Sequence, residues 1–211
     1  MFGNTISVVV VLVLYLVLVK NRIKVIVHLI FLTGALYYMT VLKQILEEGR
    51  PFWTTSKIQQ LEWFCPLSFG NPSGHSCVVF VLYEPMISDV FGCGPKKIWT
   101  YVWLFISIMV MISRMYLGAH SLDQIVFGGL LGLAFLVYYK FFLQELLYET
   151  VINILNGKHR KFYAIVTTVI FFVFLSIPII AYIIESTSRP PVDATYINNI
   201  AIGCSGLSVT S

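Results

Sequence analysis

Long apolar runs alternate with short charged ones from end to end of this chain. Asp, Glu, Lys and Arg are absent from Met1–Val19, Val25–Leu42, Ile98–Ser113, Gln124–Tyr139 and Phe162–Ile184. Several of these runs approach the ~20 residues that a helix needs to cross a hydrocarbon core, and the shorter ones can borrow flanking residues. A sixth run, His75–Phe91, is interrupted by Glu84-Pro85 and by Asp89. A helix satisfies its own backbone hydrogen bonds, which lipid cannot do. The pattern therefore predicts helices over roughly 3–19, 23–43, 74–91, 97–114, 121–144 and 161–184. The expected fold class is all-α, a polytopic membrane helix bundle of about six transmembrane helices. One integral-membrane domain is expected over roughly 1–185, followed by an irregular non-cytoplasmic tail over roughly 186–211.

Composition supports a bilayer as the medium. Of 211 residues, 58% are apolar and 11% charged, against about 25% charged in ordinary soluble domains. A soluble core of this size cannot hide so much apolar surface. Met1–Thr5 carries no positive side chain and no small-residue cleavage pattern follows Val19, so the first run is read as a retained helix and not a secretory signal. Cys65, Cys77, Cys93 and Cys204 show no paired spacing, which indicates neither a disulfide framework nor a metal site. A Cys65–Cys204 bridge is geometrically conceivable and no more.

The net charge of +4 matters less than its distribution. Lys20, Arg22 and Lys24 separate the first two helices, Lys96 and Lys97 the third and fourth, and Lys158, Arg160 and Lys161 the fifth and sixth. These are alternate loops, as the cytoplasmic face of a membrane protein requires. The long Lys43–Gly74 loop, the Ser113–Ser121 turn and the tail after Ile184 are then expected on the opposite side. Gly92-Cys-Gly-Pro95 reads as a tight turn, and Glu145–Lys161 as a linker of mixed character. Gly128, Gly129 and Gly132 can let another helix approach the fifth closely.

Three short blocks on that non-cytoplasmic side carry the candidate chemistry. Lys43-Gln-Ile-Leu-Glu-Glu-Gly-Arg50-Pro51 offers a movable point charge and a planar fork for two phosphate oxygens. Lys43 and Arg50, close to two helical turns apart, share a face if the helix continues. Taken alone, the pair also suits snorkelling at a helix end. Pro72-Ser-Gly-His75 precedes an apolar stretch where a helix should begin, and free amides at a helix start bind anions. Gly74 permits close backbone approach. The Ser73 hydroxyl can cap the helix or donate to phosphate. In Ser113-Arg-Met-Tyr-Leu-Gly-Ala-His120, Arg114 ends a membrane helix, where an arginine is costly unless it meets an anion. Together the blocks supply what is needed to hold a phosphate dianion beside an imidazole. His28 and His159 lie outside the blocks and are read as structural.

In spacing the blocks read K-x6-R-P, P-S-G-H and S-R-x5-H. They resemble the tripartite signature of the type 2 phosphatidic acid phosphatase superfamily, which also contains glucose-6-phosphatases and vanadium haloperoxidases. The resemblance covers roughly residues 36 to 140. It implies that His120 is the nucleophile, forming a phosphohistidine, and that His75 is the general acid. Lys43, Arg50, Ser73, Gly74 and Arg114 would hold the phosphate. The family usually carries an aspartate four positions after the nucleophilic histidine. Here that position is Gln124, and the nearby carboxylate is Asp123, one residue early. Either can orient His120, and Ser121-x-x-Gln124 also reads as a capping box.

The implied activity is metal-independent hydrolysis of phosphate monoesters, with lipid phosphates of the phosphatidic acid type expected first and a glucose-6-phosphatase-like action on sugar phosphates as the alternative. The glucose-6-phosphatases continue for several more helices, so the chain is either a short relative or an incomplete gene product. A catalytically silent membrane adaptor is the rival of another class, although such relatives typically lose block residues that are present here. No cofactor, metal or nucleic-acid partner is expected. The expected location is the endoplasmic reticulum or another endomembrane, with the site facing away from the cytoplasm.

Overall fold

The computed structural model describes residues 5–61, 64–91, 97–188, 194–205 and 208–210. Each of the six predicted runs is helical. The first two are α1 (Thr5–Leu18) and α2 (Arg22–Leu46). Asn21 starts α2 by accepting from the N–H groups of Ile23 and Lys24 at 3.1 and 3.3 Å, as a helix start requires. The chain then forms the short α3 (Pro51–Thr54) and β1 (Phe64–Pro66).

The third predicted helix consists of α4 (Gly74–Val78), a π-helical turn (Val79–Tyr83) and α5 (Glu84–Phe91). Glu84-Pro85 does not break it. Pro85 has no N–H, so the α-helical donor for the carbonyl four residues back, that of Val81, is missing. His28 of α2 supplies one: its Nε2 bonds to Val81 O at 2.8 Å. Trp103 Nε1 donates likewise to Val79 O at 2.8 Å. His28 therefore has a structural role in the π turn.

Next come α6 (Ile98–Tyr116), α7 (Leu122–Tyr138), a second π-helical turn (Tyr139–Leu143) and α8 (Gln144–Leu155). The expected linker after residue 144 is thus helical as far as Leu155, because Leu147, Tyr148 and Val151 recur at helical spacing and pack against the core. Lys140 in the second π turn pairs with the buried Glu84. Then α9 (Arg160–Ser188) follows, joined to α2 by the Tyr37–Phe174 ring contact at 4.9 Å. The expected Gly92–Pro95 turn lies outside the described residues.

The core forms where α4 and α5 are enclosed by their neighbours: Cys77, Val81 and Leu82 meet Val27, Phe31 and Leu32 of α2, Trp103 and Val110 of α6, and Leu136 of α7. Outward faces are equally apolar, with Phe105, Leu130 and Ile180 exposed, which suits lipid as the surrounding medium. Four described stretches are long and apolar enough to cross a membrane: Arg22–Thr54, Ile98–Tyr116, Leu122–Leu155 and Lys161–Ile184. The 14 described residues of α1 and the segmented α4–α5 do not meet that criterion, so the described residues do not confirm the count of six. The all-α membrane-type architecture stands.

Two features of the C-terminal segment go beyond the sequence reading. Among its described residues the expected irregular tail includes α10 (Ala194–Gly203) and β2 (Ser208–Thr210), the latter pairing in parallel with β1. Cys65 and Cys204 are joined in a disulfide across 139 residues. That separation is why no local cysteine spacing announced it. Phe52, Trp53, Ile58, Tyr196 and Ile200 complete a small apolar cluster around the bridge, and Asn199 Nδ2 donates to Trp53 O at 2.9 Å. The segment is thus held onto α3. Arg189-Pro-Pro191 lies outside the described residues.

Candidate active site

The three blocks meet at one end of the bundle. Lys43 and Arg50 do not share a helix face. Glu47 takes a left-handed conformation (φ 47°) and ends α2, so the chain turns before Arg50, which precedes Pro51 at the start of α3. The two cations converge instead on the 68–69 backbone: Lys43 Nζ donates to Phe69 O at 2.8 Å and Arg50 Nε to Ser68 O at 2.8 Å. Arg50 Nη2 also donates to Ser68 Oγ at 3.1 Å. Its Nη1 donates to Ala119 O at 3.1 Å and lies 3.5 Å from His120 Nε2. The first and third blocks are therefore in direct contact.

The second block opens α4. Ser73 is the N-cap by backbone geometry, but its hydroxyl makes no capping bond, contrary to one reading of the sequence. Its Oγ accepts from Ser76 Oγ at 3.0 Å. A Cβ placed on Gly74 would meet nothing within 4 Å, so the first turn of α4 borders open space. On its other side α4 lies directly on α7. A Cβ on Gly128 would stand 2.4 Å from Ser73 O, and one on Gly132 would stand 2.7 Å from Cys77 O. The expected close approach is realised at these two glycines, which pin the first turn of α4 against α7.

His120 is buried, and its Nδ1 lies 3.3 Å from Gln124 Oε1. The Gln124 amide is fully engaged. Oε1 also accepts from the Ser121 N–H at 3.4 Å, while Nε2 donates to Glu48 Oε1 and to Gly49 O, both at 2.9 Å. Two acceptors beside Nε2 and a backbone donor beside Oε1 fix which way the amide points. An amide oxygen can only accept, so Nδ1 of His120 carries the proton and Nε2 presents its lone pair. The Gln124 carbonyl further accepts from Ser73 N–H at 3.0 Å. One residue thus ties together all three blocks. Asp123, the rival for the orienting position, is exposed.

Burial pushes the His120 pKa well below the ordinary imidazole value, and the charges of Arg50, Lys43 and His75 push it further; the bond to Gln124 opposes them. His75 is the second residue of α4. Arg114 is buried in the last turn of α6, and its carbonyl accepts from Ala119 N–H at 3.1 Å, which shapes the turn leading to His120. Gly118 makes that turn possible with φ +69°. Among the described residues, no group of three or more His, Cys, Asp or Glu side chains is placed to hold a metal ion.

The PAP2 superfamily model matches residues 24–147, more than half of the chain, and that segment contains all three blocks. The chain belongs to the PAP2 superfamily. Among curated proteins it is similar to glucose-6-phosphatase 2 of Homo sapiens, 29% identical over 120 residues that cover 44% of this chain and 33% of that protein. It is also similar to glucose-6-phosphatase catalytic subunit 1 of Bos taurus, 29% identical over 118 residues, and of Felis catus, 30% identical over 118 residues, with the same coverage in both cases. The match spans only 33% of the length of these relatives. No solved structure matches.

Within this PAP2 site, sequence reasoning had not assigned roles to three residues. Ser68 anchors Arg50. Glu48 accepts from both Gln124 and Asn71, the latter bond being 2.6 Å from Asn71 Nδ2 to Glu48 Oε2. Gly70 leaves room for the Gln124 amide, since a Cβ there would lie 2.5 Å from Oε1. The available signal was positional: Glu48 lies inside the first block and Gly70 two residues before the second.

Proposed function

We propose that this protein is an integral-membrane phosphatase that hydrolyses phosphate monoesters through a phosphohistidine at His120, without a metal. The observation that carries the reading is His120 itself, with Nδ1 held by Gln124 and the lone pair on Nε2 beside the Arg50 guanidinium. Lys43, Arg50, Arg114, the Ser73 hydroxyl and the amides at the start of α4 would hold the phosphate oxygens. Nε2 attacks phosphorus, the bond to the leaving oxygen breaks, and His75 gives that oxygen its proton. Water then attacks phosphorus and passes a proton to His75. The Nε2–P bond breaks and inorganic phosphate leaves.

On the leaving group, a lipid alcohol is the expectation from a site at a membrane surface. The similarity to proteins named glucose-6-phosphatase, together with glutamine at position 124, favours a sugar alcohol. The site is assigned to the non-cytoplasmic side of the endoplasmic reticulum or another endomembrane. Loop charges and the Cys65–Cys204 bridge support this, since disulfides persist in oxidising compartments.

Purified protein in detergent, offered a panel of sugar and lipid monophosphates without added metal, tests the reading. Phosphate release that persists in chelator and is blocked by vanadate, a mimic of trigonal-bipyramidal phosphate, is expected. Activity abolished by EDTA and restored by magnesium would refute the mechanism. Release from phosphatidate but not from sugar phosphates would reverse the choice of leaving group.

A further inference from the structure

The Gln124 amide is neutral, yet the group it holds becomes a cation. When Nε2 is bonded to phosphorus and Nδ1 keeps its proton, the imidazole ring carries a positive charge. A hydrogen bond from a cation is stronger when the acceptor is itself charged or polarised by a charge. Such a charge stands directly behind the amide: Gln124 Nε2 donates to Glu48 Oε1 at 2.9 Å. The other Glu48 oxygen accepts from Asn71 Nδ2 at 2.6 Å. Gly70 N–H donates to the Glu48 backbone carbonyl at 2.7 Å. The carboxylate is therefore held in position at the side chain and at the main chain. It borders a pocket of about 530 Å³ that Gln124, Asp123, Ser121 and Tyr196 also line. That pocket lies behind the amide, and His120 does not line it.

We infer that Glu48 is a positioning residue for His120, acting through Gln124 as a carboxylate–amide–imidazole relay. The relay delivers negative charge to the nucleophile from the first block, where a carboxylate touching His120 directly would otherwise be needed. Glu48 fixes the amide orientation from its Nε2 side, and so fixes which nitrogen of His120 presents the lone pair. No proton crosses the relay: Nδ1–H, the two amide N–H bonds and the carboxylate keep their protonation states. The catalytic consequence rests on the phosphatase reading above, whereas the link itself is a property of the resting protein.

Two measurements separate the link from the reading. The first is a double-mutant cycle on phosphate release, with the variants Glu48→Gln, Glu48→Ala, Gln124→Ala and Glu48→Ala/Gln124→Ala. Glu48→Gln keeps the shape and removes the charge, and kcat should fall about tenfold with KM little changed, the scale on which partners behind a liganding histidine act. The double variant should be no slower than Gln124→Ala, because Glu48 works through Gln124. Glu47→Gln, which removes a charge from the same pocket, should leave kcat unchanged. The second is the Nδ1 proton resonance of His120 in histidine-labelled protein without substrate, which should move upfield in Glu48→Gln as the bond to Gln124 weakens. Independent losses in the cycle, or an unmoved resonance, would overturn the relay even if the enzyme is active. A moved resonance in a protein that releases no phosphate would uphold the link and sink the phosphatase reading.

Discussion

Nη1 of Arg50 stands 3.5 Å from Nε2 of His120, across 70 residues of sequence. The same nitrogen holds the Ala119 carbonyl at 3.1 Å. One guanidinium therefore fixes the backbone beside His120 and disfavours a second proton on its ring. This combination keeps His120 a neutral imidazole with Nε2, the nitrogen proposed to attack phosphorus, facing a cation.

The ionisation of His120 should reflect that arrangement. In the unfolded chain an imidazole takes up its proton near pH 6.5; in the fold, burial and the charges of Arg50, Lys43 and His75 oppose protonation. The unfolded state therefore binds the extra proton first, and stability should fall as pH drops through about 6.5. Histidine NMR in detergent should show His120 titrating well below that value, and Arg50→Ala should raise it. A titration at or above 6.5 would contradict the burial argument.

The two histidines proposed as nucleophile and proton donor should fail differently. His120→Ala removes the nucleophile, so no substrate should be turned over. His75→Ala removes the proton donor, whose assistance is worth about 100- to 10,000-fold, and only a poor leaving group needs it. The His75 variant should recover much of its loss on nitrophenyl phosphate relative to a sugar or lipid phosphate, and the His120 variant should recover nothing. Equal proportional losses on both substrates would mean that the roles are wrongly assigned.

Three glycines give three different outcomes on replacement by alanine. At Gly128 the new Cβ would lie 2.4 Å from the Ser73 carbonyl, a backbone atom that cannot yield; a loss of about 1 to 3 kcal/mol is expected. At Gly70 it would lie 2.5 Å from Gln124 Oε1, so the amide must shift and kcat should fall more than stability. At Gly34, inside α2, nothing lies within 4 Å, and better helix propensity should raise stability by up to about 1 kcal/mol. Thermal unfolding in detergent alongside kcat distinguishes all three.

The orientation can be read by labelling. Ser56 is exposed in the loop after α3, and Ser56→Cys, in a chain with Cys77 and Cys93 replaced and the Cys65–Cys204 bridge intact, provides a single reactive thiol. In sealed endomembrane vesicles with their cytoplasmic face outward, an impermeant reagent should label it only after permeabilisation. Labelling of intact vesicles would reverse the proposed topology.

Sequence alone determined the six long apolar helical runs and the blocks, for a local reason. Apolar runs of membrane length and charges gathered in alternate loops are properties of consecutive residues. Lys43, Arg50, Ser73, His75, Arg114 and His120 were legible as candidates because their types and spacings within each block are local too. What only the tertiary structure decided are contacts between blocks. The choice of Gln124 over Asp123 as the neighbour of His120 depends on which side chain turns inward at the start of α7. Glu48, Ser68 and Gly70 acquire meaning only when the 68–70 segment crosses the first block. The Cys65–Cys204 bridge joins residues 139 positions apart, and the bond that docks α10, Asn199 to Trp53, joins residues 146 apart. His28 shows the same limit in the core: Pro85 announces a carbonyl without a donor, but nothing near it in sequence says which helix will supply one.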